Sequence, residues 1–216
     1  MKNVLLVGLG RFGYHMAQKL HELHHQVLAI DKKERAVQDV LPYVTNAEIA
    51  DASDPEVLRL LGVSEFDLCV VTMGHNLQAS LEVTALLKEF GAPFVLARVE
   101  TDAHAKFLLA CGADDVIYPE KQLADWAAVR YSSNHIVDYV RISPEYSIFE
   151  TDLPKSWVGH TIVDLAVRQR YHINILAICE DGEVVSMASP THRFKRGERI
   201  IIMGSERDVE KFLLEI

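Results

Sequence analysis

Short apolar runs alternate with amphipathic stretches through the first half of the chain. Each run has the length of a buried strand, and between the runs the apolar positions recur with helical spacing. The predicted strands are residues 3–7, 26–30, 47–50, 68–72, 94–99 and 115–117. Strands that alternate with helices form a parallel sheet with right-handed crossovers, so the pattern predicts an α/β domain with a doubly wound parallel sheet.

The pattern changes after a predicted helix at residues 121–133. The later elements are strands at residues 147–152, 173–179, 184–187 and 199–203, and helices at residues 161–170 and 206–214. This change predicts two domains, residues 1–134 and residues 135–216, of which the second is a small α+β domain. A unit of that size is small for a domain, so we expect a regulatory or assembly module and not a catalytic one.

Composition narrows the classes of function. The 216 residues carry a formal net charge of -9 without a lysine- and arginine-rich block, so nucleic acid is not an expected partner. The apolar runs are far shorter than the roughly 20 residues of a membrane helix, and any membrane role is expected through a partner. The first strand leaves no room for a signal peptide, and Cys69, Cys111 and Cys179 are predicted to be buried, reduced thiols of a cytoplasmic protein.

The first strand runs into a glycine-rich segment, VGLGRFG, that opens the first predicted helix. Gly8, Gly10 and Gly13 have the G-x-G-x-x-G spacing, and Asp31 ends the second apolar run. In Rossmann-like sheets such a turn lets the backbone approach a pyrophosphate, the helix N-terminus attracts the charge, and an acid about 20 residues later binds the ribose hydroxyls. The combination predicts a Rossmann-like nucleotide-binding domain, with glycines used only for packing as the alternative.

Charged residues beside this motif bear on the identity of the nucleotide. Asp31 disfavours a 2′-phosphate, while Lys32 and Lys33 directly after it could offset part of that repulsion, so NADP ranks behind NAD or an adenosine nucleotide. Arg11 stands inside the glycine loop, where a flexible cation can reach a phosphate. A solvated surface arginine is the alternative for Arg11.

Other candidates follow from their position after the predicted strands, whose carboxyl ends converge on one crevice in a doubly wound sheet. They are Asp51, Ala52, Thr72, Met73, Gly74, Asn76, Arg98 and Glu120. For each residue taken singly, a role as a helix cap or turn residue is an equal alternative to ligand contact. The histidines His21, His24 and His25 have no acid or cysteine at metal-ligand spacing.

Six segments distributed along the chain carry a family resemblance. They are VGLGRFG, LAID, EIADAS, VVTMGHNLQAS, GADDVIYPEK and RQRYHINILAI. With these segments the whole chain resembles the RCK or KTN family, the Ktr/Trk-type cytosolic regulatory subunits of bacterial potassium uptake systems. The resemblance implies a TrkA-N nucleotide-binding domain, a TrkA-C domain and no enzymatic activity. It also implies a gating ring, typically an octamer built from dimers, that docks beneath an integral-membrane potassium translocator and is switched by ATP, ADP or NAD(H).

The resemblance further implies a set of nucleotide-binding residues. The set consists of Gly8, Gly10, Arg11, Phe12, Gly13, Asp31, Lys32, Lys33, Asp51, Ala52, Met73, Gly74, His75, Arg98, His104 and Glu120. Within it, Asp31 holds the ribose, Arg98 flanks the phosphates, and Arg11 reaches the γ-phosphate across a dimer. Glu120 is implied to lie near a cation beside that phosphate, with magnesium, sodium and calcium as candidates.

A second ligand, cyclic di-AMP, binds between the carboxy-terminal domains of some members of the family. The corresponding residues here are Arg168, Tyr171, His172, Ile173, Asn174 and Ile175. A simpler alternative is that Ile173 and Ile175 are core residues of a strand. No cyclic di-AMP site follows from the residues alone.

An apolar run between residues 123 and 140 bears on assembly. Its members are Leu123, Trp126, Ala127, Ile136, Val137 and Val140. They offer more apolar surface than a solvated linker requires. We therefore predict a homo-oligomer that assembles through the first domain, a dimer at least and, with the resemblance, an octameric ring.

A small NAD-dependent oxidoreductase is the alternative function. It would need a proton-transfer group and a substrate pocket, but the sequence has no Tyr-x-x-x-Lys pair and the second domain is small for binding a substrate. His75 could serve as the acid, so the alternative stays open at the level of sequence.

Overall fold

The structure is a computed structural model that describes residues 1–214 and 216. Internal contacts group the chain into two compact units, Met1–Lys121 and Gln122–Ile216. By their contacts residues 122–134 belong to the second unit, although most of them continue a helix that begins in the first. The domain boundary expected after residue 134 stays a prediction.

The first unit contains a six-stranded parallel sheet, which confirms the predicted doubly wound fold. Its strands β1 to β6 are Asn3–Val7, Gln26–Asp31, Asn46–Ile49, Leu68–Val71, Val95–Arg98 and Asp115–Ile117. Its helices α1 to α5 are Arg11–Glu22, Glu34–Val40, Pro55–Leu61, Leu77–Glu89 and Asp102–Ala110. The spatial order β3-β2-β1-β4-β5-β6 reverses between β1 and β4. Sheets of this kind bind ligands outside the carboxyl ends of the strands at the reversal.

Both faces of this sheet are buried, which explains why its central strands are almost continuously apolar. On β1, Leu5 and Val7 point into one core, while Val4 and Leu6 point into the other. Residues of α1 and α2 complete the second core, and residues of α3, α4 and α5 complete the first. With both faces covered by helices, polar side chains gather at the ends of the strands.

Local signals set the ends of the helices. Asp54 caps α3 by accepting the N–H of Glu56 at 3.0 Å, and Pro55 takes the first helical position. Gly62 ends the helix with a left-handed φ of 65°, a conformation that costs little without a Cβ. The bounds of α3 therefore follow from its own sequence.

The second unit contains a five-stranded antiparallel sheet in the order β10-β9-β11-β8-β7, which confirms the predicted small α+β domain. Its strands β7 to β11 are Ile136–Arg141, Tyr146–Asp152, Asn174–Glu180, Glu183–Met187 and Arg199–Ser205. The remaining helices α6 to α9 are Pro119–Ser132, Ile162–Leu165, Val167–Tyr171 and Glu206–Leu213, of which α6 begins in the first unit. An aromatic cluster around Trp157 fills the core of the second unit.

Three predictions about the later elements are corrected by the structure. Strand β7 is absent from the predicted elements. The single helix predicted at residues 161–170 is divided into α7 and α8, because Ala166 between them has a left-handed φ of 47°. Helix α6 begins at Pro119 and not at residue 121, because proline is well suited to the first turn of a helix.

The apolar run between residues 123 and 140 is partly used within the second unit. Ile136 is buried in the core, Trp126 packs against it, and Trp126 Nε1 donates to Asp138 Oδ1 at 2.9 Å. Leu123 and Val140 are exposed. The surface left for assembly is therefore smaller than the sequence suggests.

All three cysteines are free, and two of them are buried as predicted. Burial raises the pKa of the Cys69 thiol to about 12, and Cys179 is also buried. Cys111 is exposed, so the prediction is wrong for this residue, which follows the last turn of α5 at the surface. In the described part of the chain, no helix combines the length and the apolar character that crossing a bilayer requires.

Candidate functional site

A tight turn with Gly8 and Gly10 joins β1 to α1, and Gly13, the third glycine of the motif, lies in the first turn of α1. Gly8 has a φ of +94°, and a Cβ there would lie 2.8 Å from Thr72 Oγ1. The Thr72 hydroxyl donates to the carbonyl oxygen of Gly8 at 2.6 Å. A Cβ at Gly13 would overlap the same carbonyl oxygen. The packing of the protein itself therefore requires glycine at positions 8 and 13.

Gly10 differs from the other two glycines. It is exposed, its φ of -65° and ψ of -176° suit any residue, and a Cβ there would meet no atom within 4 Å. The space in front of α1 stays open, and the helix has neither a side-chain cap nor an acid in its first turn. Unpaired N–H groups and the positive end of the helix dipole make this space suitable for an anion.

The structure brings Asp31 to the same turn. Its Oδ2 accepts the N–H of Leu9 at 2.7 Å, and its Oδ1 accepts the N–H of Lys33 at 2.8 Å. These two bonds fix the carboxylate at the carboxyl edge of the sheet. Each carboxylate oxygen has a second acceptor position, so the group can still accept hydrogen bonds from a pair of hydroxyls.

An ion pair joins the ends of β2 and β3. Lys32 Nζ lies 2.8 Å from Asp51 Oδ2, and Asp51 Oδ1 accepts the N–H of Ser53 at 2.9 Å. The hydrogen bond from Lys32 is the main cause that lowers the pKa of Asp51. Because the ammonium group of Lys32 is paired with Asp51, it is less available to a 2′-phosphate. The side chain of Ala52 is buried in the core.

Arg98 connects three elements at this edge of the sheet. Its side chain is only 11% exposed, and its guanidinium lies 5.9 Å from the ring centre of Phe12 in α1. Arg98 Nη2 also lies 2.5 Å from Glu120 Oε1 in the first turn of α6. Burial acts to raise the pKa of Glu120, but its own backbone N–H and the Arg98 guanidinium together hold that pKa below its usual value. A guanidinium with a carboxylate partner thus lies next to the glycine turn.

Sequence reasoning missed Glu100, which follows the end of β5. Glu100 Oε1 is 3.5 Å from Arg98 Nη2 and 2.7 Å from His75 Nδ1, and neither contact has hydrogen-bond geometry. A Cβ at Gly74 would lie 3.1 Å from the same oxygen, so the carboxylate packs over the backbone that follows β4. No motif marks Glu100, because only the sheet brings the ends of β4 and β5 together.

The other predicted residues of the first unit contribute less to this cluster. Arg11 is the exposed first residue of α1, and Met73 is half-buried after β4. His104 lies in the first turn of α5. Asn76 caps α4 by accepting the N–H of Ala79 at 3.1 Å, which agrees with its alternative role as a cap. Among residues 1–214 and 216, no three histidine, cysteine or acidic side chains are grouped to hold a metal ion.

The six residues of the second unit that the resemblance implies for cyclic di-AMP binding differ in their burial. Tyr171 and Ile173 are buried in the core, and Ile175 packs against it. The exposed members are Arg168, His172 and Asn174. Tyr171, Ile173 and Ile175 therefore serve the fold, and the basic and amide groups are at the surface.

Comparison with known proteins assigns the family. Residues 4–119 match the TrkA-N domain and residues 148–216 match the TrkA-C domain. The chain belongs to the TrkA family. It is 35% identical to Ktr system potassium uptake protein A of Bacillus subtilis (strain 168), over 98% of this chain and 95% of that protein. Identity to Ktr system potassium uptake protein C of the same strain is also 35%, over 98% of this chain and 96% of that protein.

Solved structures share the fold of this TrkA family member. The GsuK RCK domain aligns with 100% of the chain at a TM-score of 0.70 and 15% identity. The GsuK channel bound to NAD aligns with 96% of the chain at a TM-score of 0.67 and 15% identity. The chain spans only 47% and 38% of the lengths of those two solved chains. At this level of identity the likeness shows the RCK fold and nothing further.

Proposed function

We propose that this chain is the nucleotide-binding regulatory subunit of a Ktr-type potassium uptake system. Its relationship to the Ktr system potassium uptake proteins A and C along nearly the whole chain supports this role. In that role the protein is cytoplasmic and binds the inner face of the membrane through an integral-membrane potassium-translocating subunit. The bound nucleotide switches transport, and the subunit itself catalyses no reaction.

The open space around Gly10 is the observation that best supports nucleotide binding. Its backbone angles and its surroundings both permit a side chain, so a phosphate in front of α1 supplies the reason for glycine that the protein alone does not. Asp31 offers acceptors for a ribose, and Arg98 offers donors for phosphates, at the same edge of the sheet. The groups present therefore fit a nucleotide.

The remaining site residues surround these three in the proposal. Asp51 and Ala52 border the adenine, and the pocket is lined by Met73, Gly74 and His75. His104, at the start of α5, flanks the phosphates with Arg98. These roles come from the family resemblance, and they are supported by the position of the residues after the strands of one parallel sheet.

The proposed ligands are ATP, ADP and NAD(H). NADP ranks lower, because Lys32 is paired with Asp51. Solved structures of GsuK, which has the same fold, are bound to NAD and to ADP. Calorimetric titration of the purified protein with ATP, ADP, NAD and NADH would rank the ligands, and the absence of binding by all four would refute nucleotide regulation. Cyclic di-AMP belongs in the same titration, with Arg168→Ala as the variant that should lose it.

Two further measurements test the regulatory role against its alternatives. An oxidoreductase would oxidise NADH in the presence of 2-hydroxy or 2-keto acids, and steady turnover would contradict a regulatory subunit. We propose assembly into a dimer and an octameric ring, for which the exposed Leu123 and Val140 offer part of the surface. Light scattering that finds a monomer at micromolar concentration would exclude the ring.

Arg11→Ala is expected to weaken ATP binding about tenfold and to leave ADP binding nearly unchanged, as for the loss of one charge-assisted hydrogen bond. The exposed Arg11 side chain can extend from α1 toward a neighbouring subunit, and only ATP has the γ-phosphate that it is proposed to reach. Calorimetry with both nucleotides measures the difference. Equal weakening of ATP and ADP would make Arg11 a general phosphate ligand and contradict sensing across subunits.

Glu120→Gln is expected to abolish the dependence of ATP binding on added magnesium, calcium or sodium. A carboxylate beside a triphosphate is repulsive unless a cation lies between them. In the wild type, chelation of divalent ions in sodium-free buffer should therefore weaken ATP binding. The same titrations with Glu120→Gln should show no effect of the ions, and a variant that keeps the full dependence would place the cation elsewhere.

A further inference from the structure

Two carboxylates share one guanidinium at the carboxyl edge of the sheet. Arg98 Nη2 lies 2.5 Å from Glu120 Oε1 and 3.5 Å from Glu100 Oε1. When all three groups are ionised, their charges sum to one negative charge. His75 Nδ1, 2.7 Å from Glu100 Oε1, balances that charge only when the ring is protonated. A phosphate that approaches Arg98 therefore meets a cluster without net positive charge.

The two carboxylates differ in their freedom to leave Arg98. Glu120 is 59% exposed on the first turn of α6, so water can solvate its charge when the side chain turns away. Glu100 is 27% exposed and is packed over Gly74, where a Cβ would lie within 3.1 Å of its oxygen. Glu120 is thus the exchangeable partner of the guanidinium, and Glu100 is the fixed one.

We infer that Glu100 sets how tightly Arg98 captures the terminal phosphates of the nucleotide. Its fixed charge competes for the guanidinium and repels the phosphates, so the ligand remains exchangeable, as a sensor requires. The repulsion grows with the charge of the ligand, and it acts on ATP more than on ADP and not on adenosine. This specificity role of Glu100 depends on the proposed nucleotide site.

Titration of the full-length protein with ATP, ADP and adenosine tests this role. Glu100→Gln preserves the shape of the side chain and removes its charge. We expect ATP affinity to rise about tenfold, a value that discounts the repulsion at this distance for solvent screening of a partly exposed charge. ADP affinity should rise less, and adenosine affinity should stay the same. If Glu100 had a purely structural role, the change in affinity would not depend on the charge of the ligand.

Glu89→Gln is the matched control. Glu89 is exposed at the last residue of α4, and α4 runs from the carboxyl edge of the sheet toward the opposite edge. The substitution makes the same change in net charge away from the cluster, so ATP affinity should not change. Thermal unfolding is measured for each variant. If Glu100→Gln melts well below the wild type, Glu100→Ala replaces it, with the same rise in ATP affinity expected.

The outcomes separate this role from the proposed function. Unchanged ATP affinity in Glu100→Gln, while the wild type binds ATP, would overturn the role of Glu100 and leave nucleotide regulation intact. Weaker ATP binding in the variant with magnesium present would also overturn it, because Glu100 would then hold phosphate through a cation. If neither the wild type nor the variant binds a nucleotide, the proposed function fails and the role of Glu100 fails with it.

Discussion

Replacement of Gly13 by alanine is expected to lower the free energy of unfolding by about 3 kcal/mol or more, the upper part of the range for overpacking. The added Cβ would overlap the carbonyl oxygen of Gly8 and lie 3.0 Å from Thr72 Oγ1. Both neighbours are fixed, because Thr72 Oγ1 donates to Gly8 O at 2.6 Å and Thr72 N donates to Val7 O at 2.9 Å. Urea unfolding followed by circular dichroism measures the loss.

Gly10→Ala is the control within the same glycine motif. Its Cβ meets open space, so the free energy of unfolding should change by no more than about 1 kcal/mol. Nucleotide affinity should nevertheless fall, because the methyl group would occupy the proposed path of the phosphate. A Gly13→Ala protein as stable as the wild type would show that the turn relaxes at little cost. Full nucleotide affinity in Gly10→Ala would show that no phosphate approaches this turn.

Asp31→Ala is expected to weaken ATP, ADP and NAD alike, by about ten- to hundredfold. A charge-assisted hydrogen bond contributes roughly 1.5–3 kcal/mol, and the proposed contact is to the ribose, which all three ligands share. The structure adds a second cause, because Asp31 also accepts the N–H groups of Leu9 and Lys33. Calorimetric titration of the variant with each ligand measures the loss.

The variant Asp31→Asn helps to separate the loss of the ribose contact from the loss of the backbone hydrogen bonds. The amide keeps the shape and one acceptor oxygen, so it can retain one of the two backbone hydrogen bonds while it loses the charge. We expect an affinity between those of the wild type and Asp31→Ala, with a small loss of thermal stability, because the amide nitrogen cannot accept the second backbone N–H. If Asp31→Ala weakens ATP but not NAD, the carboxylate does not contact a group that the ligands share, and the ribose assignment is wrong.

The sequence by itself determined the fold of the first unit. Each of its strands lies within one residue of its predicted bounds, because burial on both faces leaves an unbroken apolar run that turn and cap residues delimit. In the second unit, strand β7 was not predicted from the sequence. Its buried residues, Ile136 and Tyr139, are three apart, since the register shifts between Ile136 and Asp138. A bulge of this kind removes the two-residue period by which a half-buried strand is recognised.

The break between α7 and α8 at Ala166 was also not predicted from the sequence. A left-handed residue at a helix end is usually glycine or asparagine, and alanine gives no such signal. Ala166 nevertheless ends α7 with a left-handed φ of 47°, and its N–H donates to Val163 O at 3.1 Å. The helical preference of alanine therefore does not decide the backbone conformation at this position.

The candidate site divides in the same way. The sequence alone located the glycine turn and Asp31, because they belong to one βαβ unit, in which spacing along the chain fixes spacing in the fold. Only the tertiary structure decided that Arg98, Glu100 and Glu120 form one cluster with His75. These side chains come from β5, from the segments after β4 and β5, and from the first turn of α6. Their meeting depends on the order of strands in the sheet, which no local pattern of residues encodes.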